Sequence, residues 1–278
     1  MTVTAFSGVV LAISALAGFL GALTGLGGGV VVTPVLTLLL GVDIHYAMGA
    51  SLVSVIATSS GAAAAYVKEG FSNVRAGMLL EIATTAGAVG GAHLASVVPA
   101  EGLAIVFGAV LLYSAWHSMT PMAAQHAHAG DPLAARFKLN GSYPAEGGAE
   151  EYTVTNVKGG FSLMVVAGLL SGLLGIGSGA MKVVAMDQVM KIPFKVSTAT
   201  SNFMIGVTAA ASAGIYLRHG YIHPGLAMPV MLGVLGGSLL GARQLHGANV
   251  RVLRKLFAVV IAVMAVEMVY SGVTGGLR

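Results

Sequence analysis

From Ala5 to Leu40 the chain carries no charged side chain, and Gly25-Leu26-Gly27-Gly28-Gly29 stands in the middle of that run. The run is too long for one spanning helix of about 20 residues. Each glycine costs a helix roughly 1 kcal/mol relative to alanine. The cluster therefore divides the run into a first helix ending near Leu23 and a short piece, Val30 to Leu40. That piece covers only about 16 Å of a ~30 Å hydrocarbon core, so it reads as a half-helix. Backbone groups freed at such a break survive at membrane depth only where protein or water satisfies them. The break therefore marks a candidate site.

The rest of the chain fits a membrane protein. Apolar residues make up 56% of it and charged residues only 9%, whereas a soluble domain carries about a quarter charged residues. The apolar runs are continuous, without the alternation of an outer-membrane barrel. A net charge of +4 is no signal for nucleic acid, because Lys and Arg fall at helix ends. The absence of cysteine excludes disulfides and thiolate chemistry. No positive segment opens the N-terminus, so a retained first helix is expected rather than a signal peptide. Further spans are expected at Ala47–Val67, Val74–Val98 and Leu103–Met119.

Residues 120–158 differ in character, with His126, His128, Asp131, Arg136, Lys138, Glu146, Glu150 and Glu151. Phe137–Leu139 and Tyr152–Thr155 alternate weakly around Asn140-Gly141, which suggests a small β-hairpin in an aqueous linker. His126 and His128 lack a completing ligand set and read as solvated loop histidines.

After Gly159 the pattern returns at a constant offset of 150 residues. Gly25, Gly27 and Gly29 match Gly175, Gly177 and Gly179. Ser51, Thr58, Tyr66 and Gly70 match Ser201, Thr208, Tyr216 and Gly220. Gly87, Gly91 and Ala92 match Gly237, Gly241 and Ala242. A second half-helix is expected at Ala180–Met190, after Gly160–Leu174 and before spans near Val196–Leu217, Pro224–Leu245 and Val252–Tyr270. The expected organisation is a first membrane repeat, 1–119, a linker, 120–158, and a second repeat, 159–278.

Charge decides between parallel and inverted repeats. If each glycine-broken pair makes one crossing, the basic residues divide seven to six between the two sides. If each pair is a returning hairpin, Lys68, Arg75, Arg136, Lys138, Lys158, Lys191, Lys195, Arg243, Arg251, Arg254 and Lys255 share one side, against Arg218 and Arg278. Eleven against two is a strong positive-inside signal. The expected fold is all-α and polytopic. It has two inverted repeats, each a glycine-broken hairpin plus three transmembrane helices, with both termini outside and the linker cytoplasmic.

Inverted repeats with interrupted helices point to a secondary transporter with a midplane site. The half-helices begin just after Gly29 and Gly179, where unpaired N–H groups favour an anion. Gly27, Gly28, Gly29, Gly177, Ser178 and Gly179 let the backbone come close to it. Ser51, Ser201 and Asn202 could add neutral donors or simply bond neighbouring helices. Thr58 and Thr208 lie deeper along their helices and read better as packing groups. Lys182 replaces Val32 of the first copy. It could attract the anion, couple transport to protons or pair with Asp187, five residues on. Glu81, inside an apolar span, is a further candidate for proton coupling. Gly177-Ser178-Gly179 is not the Gly-x-Ser-Gly of a rhomboid-type protease, because Ile176 stands at the first glycine. No paired carboxylates with metal-ligand spacing occur in a span, so an enzyme, a metal site and a cofactor are not expected.

In their order and spacing these residues resemble the TauE/SafE sulfite-exporter family. The first half offers Gly25-Leu26-Gly27-Gly28-Gly29, Pro34, Ala50-Ser51, Tyr66 and Gly70. The second offers Gly175-Ile176-Gly177-Ser178-Gly179, Ala199-Thr200-Ser201, Tyr216, Gly220 and Gly241-Ala242. Ser178, Val184, Lys182 and Asp187 depart from the usual pattern. The resemblance implies a bacterial inner-membrane permease in the lipid bilayer, usually an exporter. Its substrates would be small sulfur anions: sulfite, sulfoacetate, other organosulfonates or thiosulfate. A channel, or a scaffold docking partners through the linker, is the alternative.

Overall fold

The computed structural model describes residues 3–24, 29–68, 70–119, 130–145, 148–244 and 250–275. Gly27, Gly28, His126 and His128 lie outside them. The first half runs α1 (Val3–Thr24), α2 (Gly29–Leu40), α3 (Ile44–Lys68), α4 (Val74–Ala95) and α5 (Ala100–Met119). The linker holds α6 (Pro132–Arg136) and the strands β1 (Gly141–Ala145) and β2 (Gly148–Tyr152). The second half runs α7 (Val157–Leu174), α8 (Gly179–Val184), a π-helical turn (Ala185–Val189), α9 (Phe194–Arg218), α10 (Pro224–Gln244) and α11 (Val250–Thr274).

The sequence recurrence is also a recurrence of backbone. Gly41 and Lys191 stop the two half-helices at φ +63° and +57°, and Gly70 and Gly220 end α3 and α9 at +77° and +75°. Val42 N–H bonds the Leu36 carbonyl at 3.1 Å, and Ile192 N–H bonds Met186 at 2.9 Å.

Small residues set the helix pairings. Gly87 and Gly91 on α4 face Gly168 and Gly172 on α7, at the four-residue spacing that lets backbones approach. A β-carbon at Gly87 would meet the Val165 carbonyl, and one at Gly168 the Thr84 carbonyl. Gly237 of α10 meets Ala15 of α1 and Gly18 of α1 meets Val234 of α10, the same contacts displaced by 150 residues. In both pairs the helices run parallel. By contrast α3 and α9 run antiparallel, with Met48 near Tyr216 and Ser59 near Gly206. So do α5 and α11, with Glu101 near Gly272 and Gly108 near Ala265.

Leu16, Met78, Ile82, Val166, Leu239, Val263 and Val273 are exposed on α1, α4, α7, α10 and α11. Val74–Ala95 and Val157–Leu174 are long and apolar enough to cross a membrane.

The second half-helix is not the single piece expected over Ala180–Met190. It changes to π geometry at Ala185, and Met190 N–H bonds the Ala185 carbonyl at 3.1 Å. Met186, Met190 and Ile192 are thereby buried against Ala134, Leu139 and Val154 of the linker.

The linker hairpin also sits differently from the sequence reading. Its turn does not lie at Asn140-Gly141, because the Asn140 side chain accepts from Val154 N–H at 2.9 Å and bridges the hairpin's base. The strands pair from Gly141 with Tyr152 to Ala145 with Gly148, where Gly148 takes φ +121°. Asp131 joins the linker to α7. Its carboxylate accepts from Val157 and Leu133 N–H, each at 2.8 Å, and these bonds, Val157's first, lower its pKa. Asn73, at the start of α4, donates to the Leu139 carbonyl and the Tyr152 hydroxyl, both at 2.7 Å. The linker is thus packed over the ends of α4, α7 and the π-helical turn.

Candidate functional site

Gly29, Gly177 and Gly179 converge on the place where α3 crosses α9. Val55 of α3 lies against both Gly29 and Gly177, and Ile205 of α9 lies against Gly177 and Gly179. Gly175, Gly177 and Ser178 take φ values of +66°, +73° and +44°. A β-carbon at Gly175 would meet the Met48 backbone, so glycine is required there for space as well as conformation. Tyr216 anchors this end by donating to the Gly172 carbonyl at 3.1 Å, shared with Leu173 at 3.2 Å.

Ser51 and Ser201 play matched parts. Ser51 donates to the Gly29 carbonyl at 3.1 Å, and Ser201 donates to the Gly179 carbonyl at 3.2 Å. Each serine therefore fixes the first residue of a half-helix to the helix that follows it. Its only hydrogen is already given away. Thr58 likewise donates back along α3, to the Ser54 carbonyl at 3.1 Å. Asn202 is partly buried beside Ser201.

Ser178 is different. It is buried, its hydroxyl has no hydrogen-bond partner, and it makes no cap bond to α8. A buried polar group left unpaired costs roughly 1–3 kcal/mol, so the site has unused hydrogen-bonding capacity at this tip.

One turn on, the fully buried Lys182 donates to Thr208 Oγ1 at 2.6 Å. Thr208 donates in turn to Glu81 Oε1 at 2.6 Å, and Thr85 donates to the same oxygen at 3.1 Å. The second carboxylate oxygen, Oε2, lies 4.0 Å from Lys182 Nζ and has no hydrogen bond. A cation and an anion from α8 and α4 are thus linked through a hydroxyl of α9. Asp187, on the π-helical turn, is only partly buried. The sequence placed Lys182 and Glu81 separately as candidates, and the fold brings them together. It read Thr208 as a packing group and did not name Thr85. The available signal was that Thr208 lies seven residues after Ser201, on the same helical face.

The cluster occupies one half only. The matched positions of Lys182 and Glu81 are Val32 and Met231. Among the described residues, no group of three His, Cys, Asp or Glu side chains could hold a metal ion.

The family model described as sulfite exporter TauE/SafE matches residues 10–268. The chain belongs to the TauE/SafE family. It is 26% identical over 276 residues to the probable membrane transporter protein YunE of Bacillus subtilis, covering 95% of this chain and 98% of the relative. It is 27% identical to the probable membrane transporter protein YdhB of the same organism, covering 81% and 83%. A probable membrane transporter protein of Xylella fastidiosa (strain 9a5c) is 23% identical, with 92% of each chain covered. No solved structure matches the chain. This TauE/SafE protein is therefore a multi-pass membrane protein of a transporter family. Its exposed apolar residues are the faces that lipid would cover.

Proposed function

We propose that this TauE/SafE protein is a secondary transporter of small sulfur-containing anions, sulfite or organosulfonates, in the bacterial inner membrane. The observation that carries the reading is the buried Lys182 beside the unpartnered Ser178 hydroxyl. A cation in such a place is expensive and marks a substrate or ion path. Lys182 supplies the charge, and Ser178 supplies a hydroxyl that no other group engages. Ser51 and Ser201 hold the hairpins in position. Sulfite is the anion named in the family's description.

In this reading the two halves are inverted repeats. Support comes from the antiparallel packing of α3 on its repeat-mate α9 and of α5 on α11, together with the eleven-to-two charge division. Rocking of one hairpin-bearing half against the other then gives alternating access. The linker lies in the cytoplasm and both termini lie outside.

The chain lacks cysteine, so single-cysteine labelling is clean. Ser178→Cys is expected to react with 2-sulfonatoethyl methanethiosulfonate and to be protected by ethanesulfonate. Ser142→Cys, on the exposed hairpin, is expected to react only from the cytoplasmic side. A Ser178→Cys protein that is unreactive, or that ethanesulfonate does not protect, would contradict the site. Labelling of the Ser142→Cys protein only from outside would contradict the orientation.

A further inference from the structure

We infer that Glu81 is the coupling group, competing with the transported anion for Lys182 and releasing it by taking up a proton. This rests on the transport reading above and adds to it the identity of the driving ion.

The geometry supplies the competition. Glu81 is buried, and its Oε2 faces Lys182 Nζ at 4.0 Å, too far for a hydrogen bond. The two are joined instead through Thr208, which accepts from Lys182 and donates to Glu81. The carboxylate thus neutralises the ammonium without saturating it. Other ionisable groups lie on the elements around the pair. Lys158 of α7, Lys195 and Arg218 of α9 and Arg75 of α4 are exposed at helix ends. Tyr216 of α9 is bonded to α7, His93 lies at the far end of α4, and Asp187 is on the π-helical turn.

An anion arriving at Lys182 while Glu81 is ionised would place two negative groups around one cation in a low-dielectric site. Like charges at such range disfavour joint ionisation. If Glu81 gains a proton, only its O–H bond forms, and Lys182 is left with one uncompensated positive charge. A monovalent sulfonate then restores neutrality. Proton and anion therefore bind cooperatively, and by linkage each strengthens the other. One proton travels with each anion in the same direction. For a monovalent sulfonate the cycle moves no net charge.

The test uses the full-length protein in proteoliposomes with ethanesulfonate. That probe is a permanently ionised monoanion, whereas sulfite titrates near neutrality and would carry protons unaided. Wild type is expected to bring in one proton per ethanesulfonate, read by a trapped pH dye, at a rate indifferent to membrane voltage. Its apparent affinity should weaken as pH rises, by up to about tenfold per pH unit. Glu81→Gln, which mimics the protonated form, should bind at high pH as tightly as wild type does at low pH, with no slope. Glu81→Asp should restore the slope. Entry of the anion without protons, or a wild-type slope in Glu81→Gln, would overturn the inference. The wild-type proton count stands even if a variant does not fold. Failure of wild type to exchange either sulfite or ethanesulfonate would overturn the transport reading itself, and this inference with it.

Discussion

Lys182→Met is expected to lower anion counterflow in proteoliposomes by at least about thirtyfold. Methionine nearly preserves the side chain's volume, so the effect isolates the charge. Truncating one partner of a buried charge pair costs roughly 2–5 kcal/mol, and each 1.4 kcal/mol is about tenfold. The loss has two sources. The anion forfeits its only buried cation among the described residues, and Glu81 is left with an unpaired carboxylate where Oε2 already lacks a hydrogen bond. The double variant Lys182→Met/Glu81→Gln removes the second source. It should recover wild-type thermal stability in detergent and remain inactive. Recovery of counterflow in the double variant would show that Lys182 serves only to neutralise Glu81.

The second large effect is on folding. Gly87→Ala and Gly237→Ala should each destabilise the protein, by roughly 1–3 kcal/mol for the overpacking of a close contact. Their added methyl groups would meet the Val165 and Ala15 carbonyls, which occupy matched places in the α4–α7 and α1–α10 pairs. The losses should therefore be similar in size. Gly90 and Gly236 are the controls, since a β-carbon there meets nothing within 4 Å. Alanine at either should be neutral or stabilising, because it gains helix propensity. Thermal unfolding in detergent reads all four. Equal behaviour of Gly236→Ala and Gly237→Ala would contradict the packing described here.

These contacts show what the sequence made legible. The recurrence of Gly87 and Gly237 was visible because small residues at close crossings tolerate little change. The half-helix breaks were visible because glycine in an apolar run has a high local cost. What each glycine touches was not visible, since contact across sequence distance leaves no mark in one chain. The same limit hid the site. Lys182 and Glu81 stood out as charges in apolar runs, but the acid nearest to Lys182 in sequence was Asp187. Only packing of α4 and α9 around α8 brings Glu81 and Thr208 to it. Thr208 resembled its partner Thr58, and Thr58 does act as a packing group. The two diverge because Val32 offers Thr58 nothing to bind, while Lys182 gives Thr208 a partner. The π-helical turn at Ala185–Val189 was hidden as well, because it answers to Met186 and Met190 packing on the linker.

Counterflow by the wild-type protein tests the central claim most directly. Proteoliposomes loaded with unlabelled sulfite or sulfoacetate, diluted into a trace of the labelled anion, should transiently concentrate the label, saturably and without single-channel currents. Passive, unsaturable equilibration with currents would make the protein a channel, and no movement of either anion would contradict transport altogether.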